Sequence, residues 1–141
     1  MDFSAAAAQR LSQLWLAWFL ALLFHTDLGL MPLFHGRSPE IESHVDPAQL
    51  PLVFWAMLIY FLMPLLVLLL NSYAATSRGG WRRWRWFHLG LGVVYTITNI
   101  AHMTVDILIP DSRADQVFLM AVMVVIGLLI NVESWRWCRA R

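Results

Sequence analysis

Long apolar stretches alternate with short polar ones along the chain, and four of the apolar stretches are long enough to cross a membrane. Spanning a hydrocarbon core of about 30 Å takes roughly 17 to 25 helical residues. Isolated strands cannot satisfy their backbone groups in lipid, so each stretch is predicted to be a helix. The pattern predicts an all-α integral membrane four-helix bundle with up-down-up-down connectivity, whose helices cover about residues 11–30, 51–70, 86–109 and 116–132.

Composition supports this prediction, and the sequence also restricts the number of domains and the kinds of site. Of the 141 residues, 60% are hydrophobic and only 13% are charged, which is more apolar than an average soluble protein. No linker divides the chain, so a single transmembrane domain over residues 1–141 is predicted. The first apolar stretch lacks a following small-residue cleavage site, so we expect it to be a retained helix. The single cysteine, Cys138, excludes an internal disulfide and a multi-cysteine metal site.

The basic residues predict an orientation. All ten are arginines, and only Arg37 and Arg113 lie in the first and third loops. The other eight flank the opposite helix ends, at positions 10, 78, 82, 83, 85, 136, 139 and 141. The positive-inside rule then places both termini in the cytoplasm and the loops 31–50 and 110–115 on the outer side.

Tryptophans are interleaved with these arginines, at positions 81, 84, 86, 135 and 137. Basic residues interleaved with aromatic ones can bind nucleic acid. Here they flank membrane segments on the positive side, where tryptophan prefers the headgroup level and arginine pairs with lipid phosphates. The lipid bilayer is therefore the predicted partner, and no nucleic acid is expected.

One face of the third helix is polar. Steps of three and four residues bring together a set that we call the polar stripe: His88, Gly92, Tyr95, Asn99, His102 and Asp106. Lipid does not accommodate such a stripe, so it is predicted to face the bundle or a wet cavity. On this stripe, Tyr95 and Asn99 lie between the two histidines.

The first helix also carries a histidine at about the depth of the outer end of the polar stripe. His25 is about 21 Å along the first helix from Leu11, and His102 is about 24 Å along the third helix from Trp86. Both helices run outward, so the two histidines are expected at similar depth, with Asp106 one turn further out. Asp27, His35 and His44 lie in or near the adjacent loop. Four of the five histidines thus gather near the outer end.

This coincidence predicts a metal site as the leading specific function. His25, His102 and Asp106 are the expected ligands, and Asp27, His35 or His44 would complete the shell. Mixed imidazole and carboxylate ligands suit Zn²⁺, Mn²⁺ or Fe²⁺, and imidazole also suits copper. The competing interpretation is that His102 and Asp106 hydrogen-bond each other and a neighbouring helix as structural glue.

Two further alternatives stay open at this point. His25 and His102 could hold one haem b axially, or the protein could be a quinone-linked redox subunit. A second haem is not expected, because His88 has no histidine partner on another helix and is interpreted as an interfacial side chain beside Trp86. The chain could also be a non-catalytic accessory or assembly subunit of a larger membrane complex, or a homo-oligomer.

Enzymatic activity is left open by the sequence. Tyr95, Asn99, His102 and Asp106 could form a proton relay or an acid–base set. A nucleophile motif, a glycine-rich phosphate loop and an HExxH motif are all missing from the sequence.

Four further residues are given structural interpretations. Pro64 in the second helix frees a backbone carbonyl near Tyr60. Asn71, Asn131 and Glu133 are interpreted as polar residues at inner helix ends, where they need no functional explanation.

Overall fold

The computed structural model describes residues 3–37, 46–76, 81–108 and 113–140, except for the side chains of Phe3 and Ala75. It contains four long helices, α1 (Phe3–Phe34), α2 (Leu50–Thr76), α3 (Arg82–Leu108) and α4 (Ala114–Arg139), and a 3₁₀ turn at Pro47–Gln49. The described residues include no strand. The prediction of an all-helical chain with four long helices is confirmed, and all four are long and apolar enough to span a membrane.

Each helix extends beyond the segment that its apolar stretch predicts. The extension is greatest for α1, which begins eight residues before Leu11, and for α4, which continues through Trp135, Arg136 and Trp137. Helix formation satisfies the backbone whether or not the side chains are apolar, so the polar turns beyond the hydrocarbon continue the same helices. Residue 109, the predicted end of the third helix, lies outside the described residues.

The helices form a bundle in which three pairs pack closely. α1 packs against both α2 and α4, and α3 packs against α4, whereas the backbones of α2 and α3 approach each other less closely. Contacts define the two ends. Ser4, Arg85 and Trp137 meet at one end, which we call the basic end. His25 and His102 meet at the other, which we call the histidine end.

Large aromatic side chains fill the space that the α2 and α3 backbones leave between them. Tyr95 stacks on Tyr60 at 4.7 Å between ring centroids and makes edge contacts with Trp15 at 5.4 Å and Trp18 at 5.1 Å. Each such pair contributes about 0.5–1.5 kcal/mol. In lipid, where apolar burial alone gives helices little reason to associate, this packing is a main source of cohesion.

The closest helix contact joins α3 to α4 through glycines. A Cβ on Gly92 would lie 2.6 Å from Oδ1 of Asn131, and one on Gly127 would lie 2.7 Å from Oγ1 of Thr96. Asn131 Nδ2 in turn donates to Thr96 Oγ1 at 2.9 Å. Asn131 and Thr96 thus connect the two helices, although the sequence pattern placed Thr96 off the polar stripe and gave Asn131 no role.

The basic end buries charge with partners. Arg85 is buried and donates to the carbonyl oxygens of Trp137 at 3.1 Å and Ala140 at 3.0 Å, which places a cation at the C-terminus of α4. Glu133 is buried too and accepts from Arg10 Nε at 2.8 Å. The interpretation of Arg85 and Trp137 as lipid-facing rim residues is therefore wrong, because both are buried between helices.

Pro64 shapes the contact between α2 and α3. Proline has no N–H, so the carbonyl of Tyr60, four residues earlier, loses its partner within the helix. The hydroxyl of Tyr95 donates to that carbonyl at 2.6 Å. The polar stripe therefore supplies the hydrogen bond that the proline removes.

Replacing Tyr95 by phenylalanine should lower the free energy of unfolding by about 1–2 kcal/mol, because the Tyr60 carbonyl is left unpaired. In a Pro64→Ala background, the restored N–H of residue 64 pairs with that carbonyl, so the same substitution should cost less by at least about 0.5 kcal/mol. Denaturation of the four proteins in mixed micelles measures this coupling. Strictly additive effects would show that the hydroxyl does not compensate for the proline.

Candidate metal centre at the histidine end

The polar stripe of α3 faces the interior along most of its length. His88, Tyr95, Asn99 and Asp106 are buried, and so is Gly92. His102 departs from this pattern, since 53% of its side chain is exposed. The stripe therefore runs through the bundle and comes to the surface at His102.

Three of the predicted ligands meet at the histidine end. His25 of α1 and His102 and Asp106 of α3 each offer one ligand atom, and these atoms all lie within 4.8 Å of one another. The two imidazole rings contact edge to face at 5.4 Å between centroids. His25 is 9% exposed and Asp106 is 5% exposed, so the cluster is deep on one side and open at His102.

The hydrogen bonds within this cluster are incomplete. Nδ1 of His25 is buried and has no hydrogen-bond partner. His102 Nε2 lies 3.5 Å from Asp106 Oδ1, which is longer than a normal N–H···O bond. A buried polar atom without a partner destabilises a fold by about 1–3 kcal/mol. The His102–Asp106 pair fits the interpretation as structural glue, but that interpretation leaves the buried His25 Nδ1 without a partner.

Neighbouring contacts fix both helices close to the cluster. Arg113, at the start of α4, donates to the carbonyl of Leu28 at 3.3 Å, three residues beyond His25 on α1. Asn99 Nδ2 donates to the carbonyl of Met120 at 3.2 Å, three residues before His102 on α3. α4 therefore holds α1 and α3 in a fixed relation, and the two histidines meet as a result.

The other predicted ligands are not part of this group. Asp27 and His35 are described and exposed, and neither belongs to the group of converging ligand atoms. His44 lies outside the described residues. The predictions that one of these three completes the shell are untested and stay predictions.

A second polar cluster surrounds His88, nearer the basic end. The ring is fully buried, and Trp15 Nε1 donates to its Nε2 at 2.8 Å. Asn71 Nδ2 lies 3.2 Å from the same nitrogen, and Ser134 Oγ lies 2.9 Å from Nδ1. The interpretation of His88 as interfacial, and of Asn71 as a helix-end residue without a role, is therefore wrong. The position of His88 on the polar stripe was the sequence signal that predicted its burial.

The donors around His88 fix its protonation. An indole N–H only donates, so Nε2 must accept, and the proton of the neutral ring then sits on Nδ1. That N–H donates to Ser134 Oγ, whose own hydroxyl donates to the carbonyl of Ile130 at 2.6 Å. Trp84 Nε1 donates to Asn71 Oδ1 at 2.9 Å, which fixes the amide. His88 thus has no lone pair left for a metal or a haem iron.

The two clusters therefore have different chemistry. Every polar atom of His88 is paired, whereas His25 keeps a buried nitrogen unpaired beside a second imidazole and a carboxylate. A set of two imidazoles and one carboxylate is a ligand set for first-row divalent metals that leaves coordination positions open. A haem iron is held less well, because a porphyrin has to lie between its two axial imidazoles, and the rings of His25 and His102 contact each other directly.

Comparison with known proteins adds no relative to this description. None of the family models, curated proteins or solved structures with which the chain was compared matches it.

Proposed function

We propose that the protein is a multi-pass membrane metalloprotein that binds one divalent transition-metal ion at His25, His102 and Asp106. The observation that carries the proposal is the convergence of one ligand atom from each of His25, His102 and Asp106 within 4.8 Å of one another. A buried His25 Nδ1 without a hydrogen-bond partner supports it. Zn²⁺, Mn²⁺, Fe²⁺ and Cu²⁺ all accept such ligands. In the proposed orientation, both termini are cytoplasmic and the metal lies in the outer leaflet.

The observed spacing fits an ion after a small contraction. Tetrahedral ligands at about 2.0–2.1 Å from a metal lie roughly 3.4 Å from each other. The three atoms, within 4.8 Å of one another, need to close by at most about 1.4 Å at each pair. The side chain of His102 is half exposed and can make this movement without displacing a packed neighbour. Coordination through His25 Nδ1 would also give that nitrogen the partner that it lacks.

Asp106 offers the sharpest test because the chain contains a matched control. Asp115 is also a carboxylate at the histidine end, but its side chain is 46% exposed and pairs with Arg113. Replacing Asp106 by asparagine should weaken Co²⁺ binding by more than the roughly 10–100-fold that outer-shell partners contribute. Asp115→Asn should leave the affinity unchanged.

Titration of the purified protein with Co²⁺ measures both variants, since a tetrahedral cobalt centre has visible absorption bands. We expect saturation at about one ion per chain in the wild type. Equal loss in the two variants, or no saturable binding in the wild type, would refute the assignment. A Soret band in the protein as isolated would instead select the haem alternative.

A further inference from the structure

The seam between α2 and α3 is closed towards the basic end and open towards the histidine end. On α2, the positions that face the bundle follow steps of three and four residues. Asn71, Val67 and Pro64 are buried and Tyr60 is half-buried, whereas Met57, which follows Tyr60 in the same series, is 48% exposed. Among the described residues, the outermost hydrogen bond across the seam joins the hydroxyls of Tyr60 and Thr98 at 3.1 Å.

The matching positions on α3 show the same change. His88 and Tyr95 contact α2 and are buried. Thr98, His102 and Val105 continue the series, and all three are exposed. Both walls of the seam thus become uncovered at the same level, just beyond the Tyr60–Thr98 contact. His102 therefore lies in the open part of the seam.

In the open part of the seam, the His102 side chain is a polar point between apolar walls. His102 lies seven residues beyond Tyr95, or about 10 Å further along α3. Because α2 runs the opposite way, it reaches this depth near Val53, seven residues before Tyr60. Met57 on α2 and Val105 on α3 are exposed and Val53 is half-buried. All three side chains are apolar, so the walls suit a hydrocarbon chain.

The net charge of the proposed metal site favours an anionic ligand beside His102. A divalent ion with two neutral imidazoles and one carboxylate carries a net charge of about +1. An uncompensated charge in a medium of low dielectric is costly, and one anionic oxygen ligand at the open coordination position removes it. A single seam between two helices suits one chain. The net charge of the site and the single seam together favour a ligand with a monoanionic headgroup and one hydrocarbon chain.

We propose that a long-chain carboxylic acid enters laterally from the outer leaflet, with its carboxylate on the metal beside His102 and its chain between the outer halves of α2 and α3. This inference rests on the proposed metal site. The carboxylate binds as an anion and leaves the acid intact, so no bond is formed or broken within the ligand. The chain buries the apolar walls that the bundle leaves uncovered.

Palmitate added to the Co²⁺-loaded protein in maltoside detergent tests the inference. We expect a saturable shift of the visible cobalt bands. Hexadecanol, which lacks the carboxylate, and butyrate, which lacks the chain, should cause no shift at the same concentration. Met57→Trp, which fills the seam, should weaken palmitate binding at least about tenfold. Ile59→Trp, two residues away on the opposite face of α2, should not.

The possible outcomes separate the two proposals. Cobalt binding without any palmitate shift overturns the inference and leaves the metal site standing, whereas absence of cobalt binding removes both. An equal shift with butyrate shows that the ligand arrives from water, and an equal shift with lysophosphatidylcholine assigns the position to a phosphate headgroup. A dimer that Met57→Trp dissociates assigns the seam to a second copy of the chain. Each of these three results contradicts the proposal.

Discussion

Replacing His88 by alanine is expected to lower the free energy of unfolding by about 3–5 kcal/mol, the largest stability loss that we predict for a single substitution. The change leaves a cavity in a fully buried site and removes the acceptor for Trp15 Nε1. It also removes one hydrogen-bond partner each from Asn71 and Ser134. Three polar side chains on three different helices would lose their common contact.

Equilibrium denaturation in mixed micelles measures this loss, and His35→Ala is the matched control. His35 follows α1 at the histidine end and is exposed, so its removal should change the free energy of unfolding by less than about 0.5 kcal/mol. The folded fraction of His88→Ala should still bind metal, because the two clusters share no residue. A loss of stability no larger than that of the control would contradict the central place of His88 in the fold.

Replacing His25 by leucine is expected to have opposite effects without and with metal. Without metal, the substitution removes a buried nitrogen that has no partner, so the variant should be as stable as the wild type or up to about 1 kcal/mol more stable. With metal at a hundred times its dissociation constant, the wild type should gain about 2.7 kcal/mol and the variant nothing. The order of stability therefore reverses on adding the ion.

Two denaturation curves for each protein, with chelator and with Zn²⁺, are sufficient for this test. A structural role for His25 predicts a different result, namely that His25→Leu is the less stable protein under both conditions. Acidification provides a check within the wild type. Imidazoles bind metal only when neutral, so the stabilisation by Zn²⁺ should disappear at low pH.

The sequence was sufficient to predict the four helices and part of the site. Apolar length alone located the four membrane spans, and residue spacing placed His102 and Asp106 on the inward stripe of α3. Counting the rise of two helices matched the depth of His25 to that of His102. These inferences succeeded because they depend on the geometry of a single helix and on the thickness of a bilayer.

Features that depend on contacts between helices could not be predicted in the same way. Arg85 and Trp137 were assigned to the lipid-facing rim because their neighbours in sequence are rim residues, yet they pack against Ser4 of α1. His88 was assigned to the interface because it lies near Trp86 and has no histidine partner on another helix. Its actual partners, Trp15, Asn71 and Ser134, lie on three other helices, which the sequence pattern does not show. The open seam beside His102 is a property of the spacing between α2 and α3, which no single helix specifies.

The contrast between the two histidine clusters carries the functional account. Around His88, both ring nitrogens have hydrogen-bond partners, as expected for a group that orders a membrane core. Around His25, three metal-ligand residues of two types converge, and one buried nitrogen of His25 is unpaired. Arg85 Nε and Asn131 Oδ1 are also buried without a partner, but neither belongs to the group of converging metal-ligand atoms. The unpaired nitrogen of His25, beside two other ligand residues, therefore indicates where the bundle binds something else.

Elemental analysis after equilibrium dialysis against Zn²⁺ tests this claim most directly. The wild type and Asp106→Asn are dialysed in the same buffer, and the bound zinc per chain is counted for each. The account predicts about one ion per chain in the wild type and loss of that ion in Asp106→Asn. A wild-type protein that is folded and retains no more zinc than the variant would contradict it.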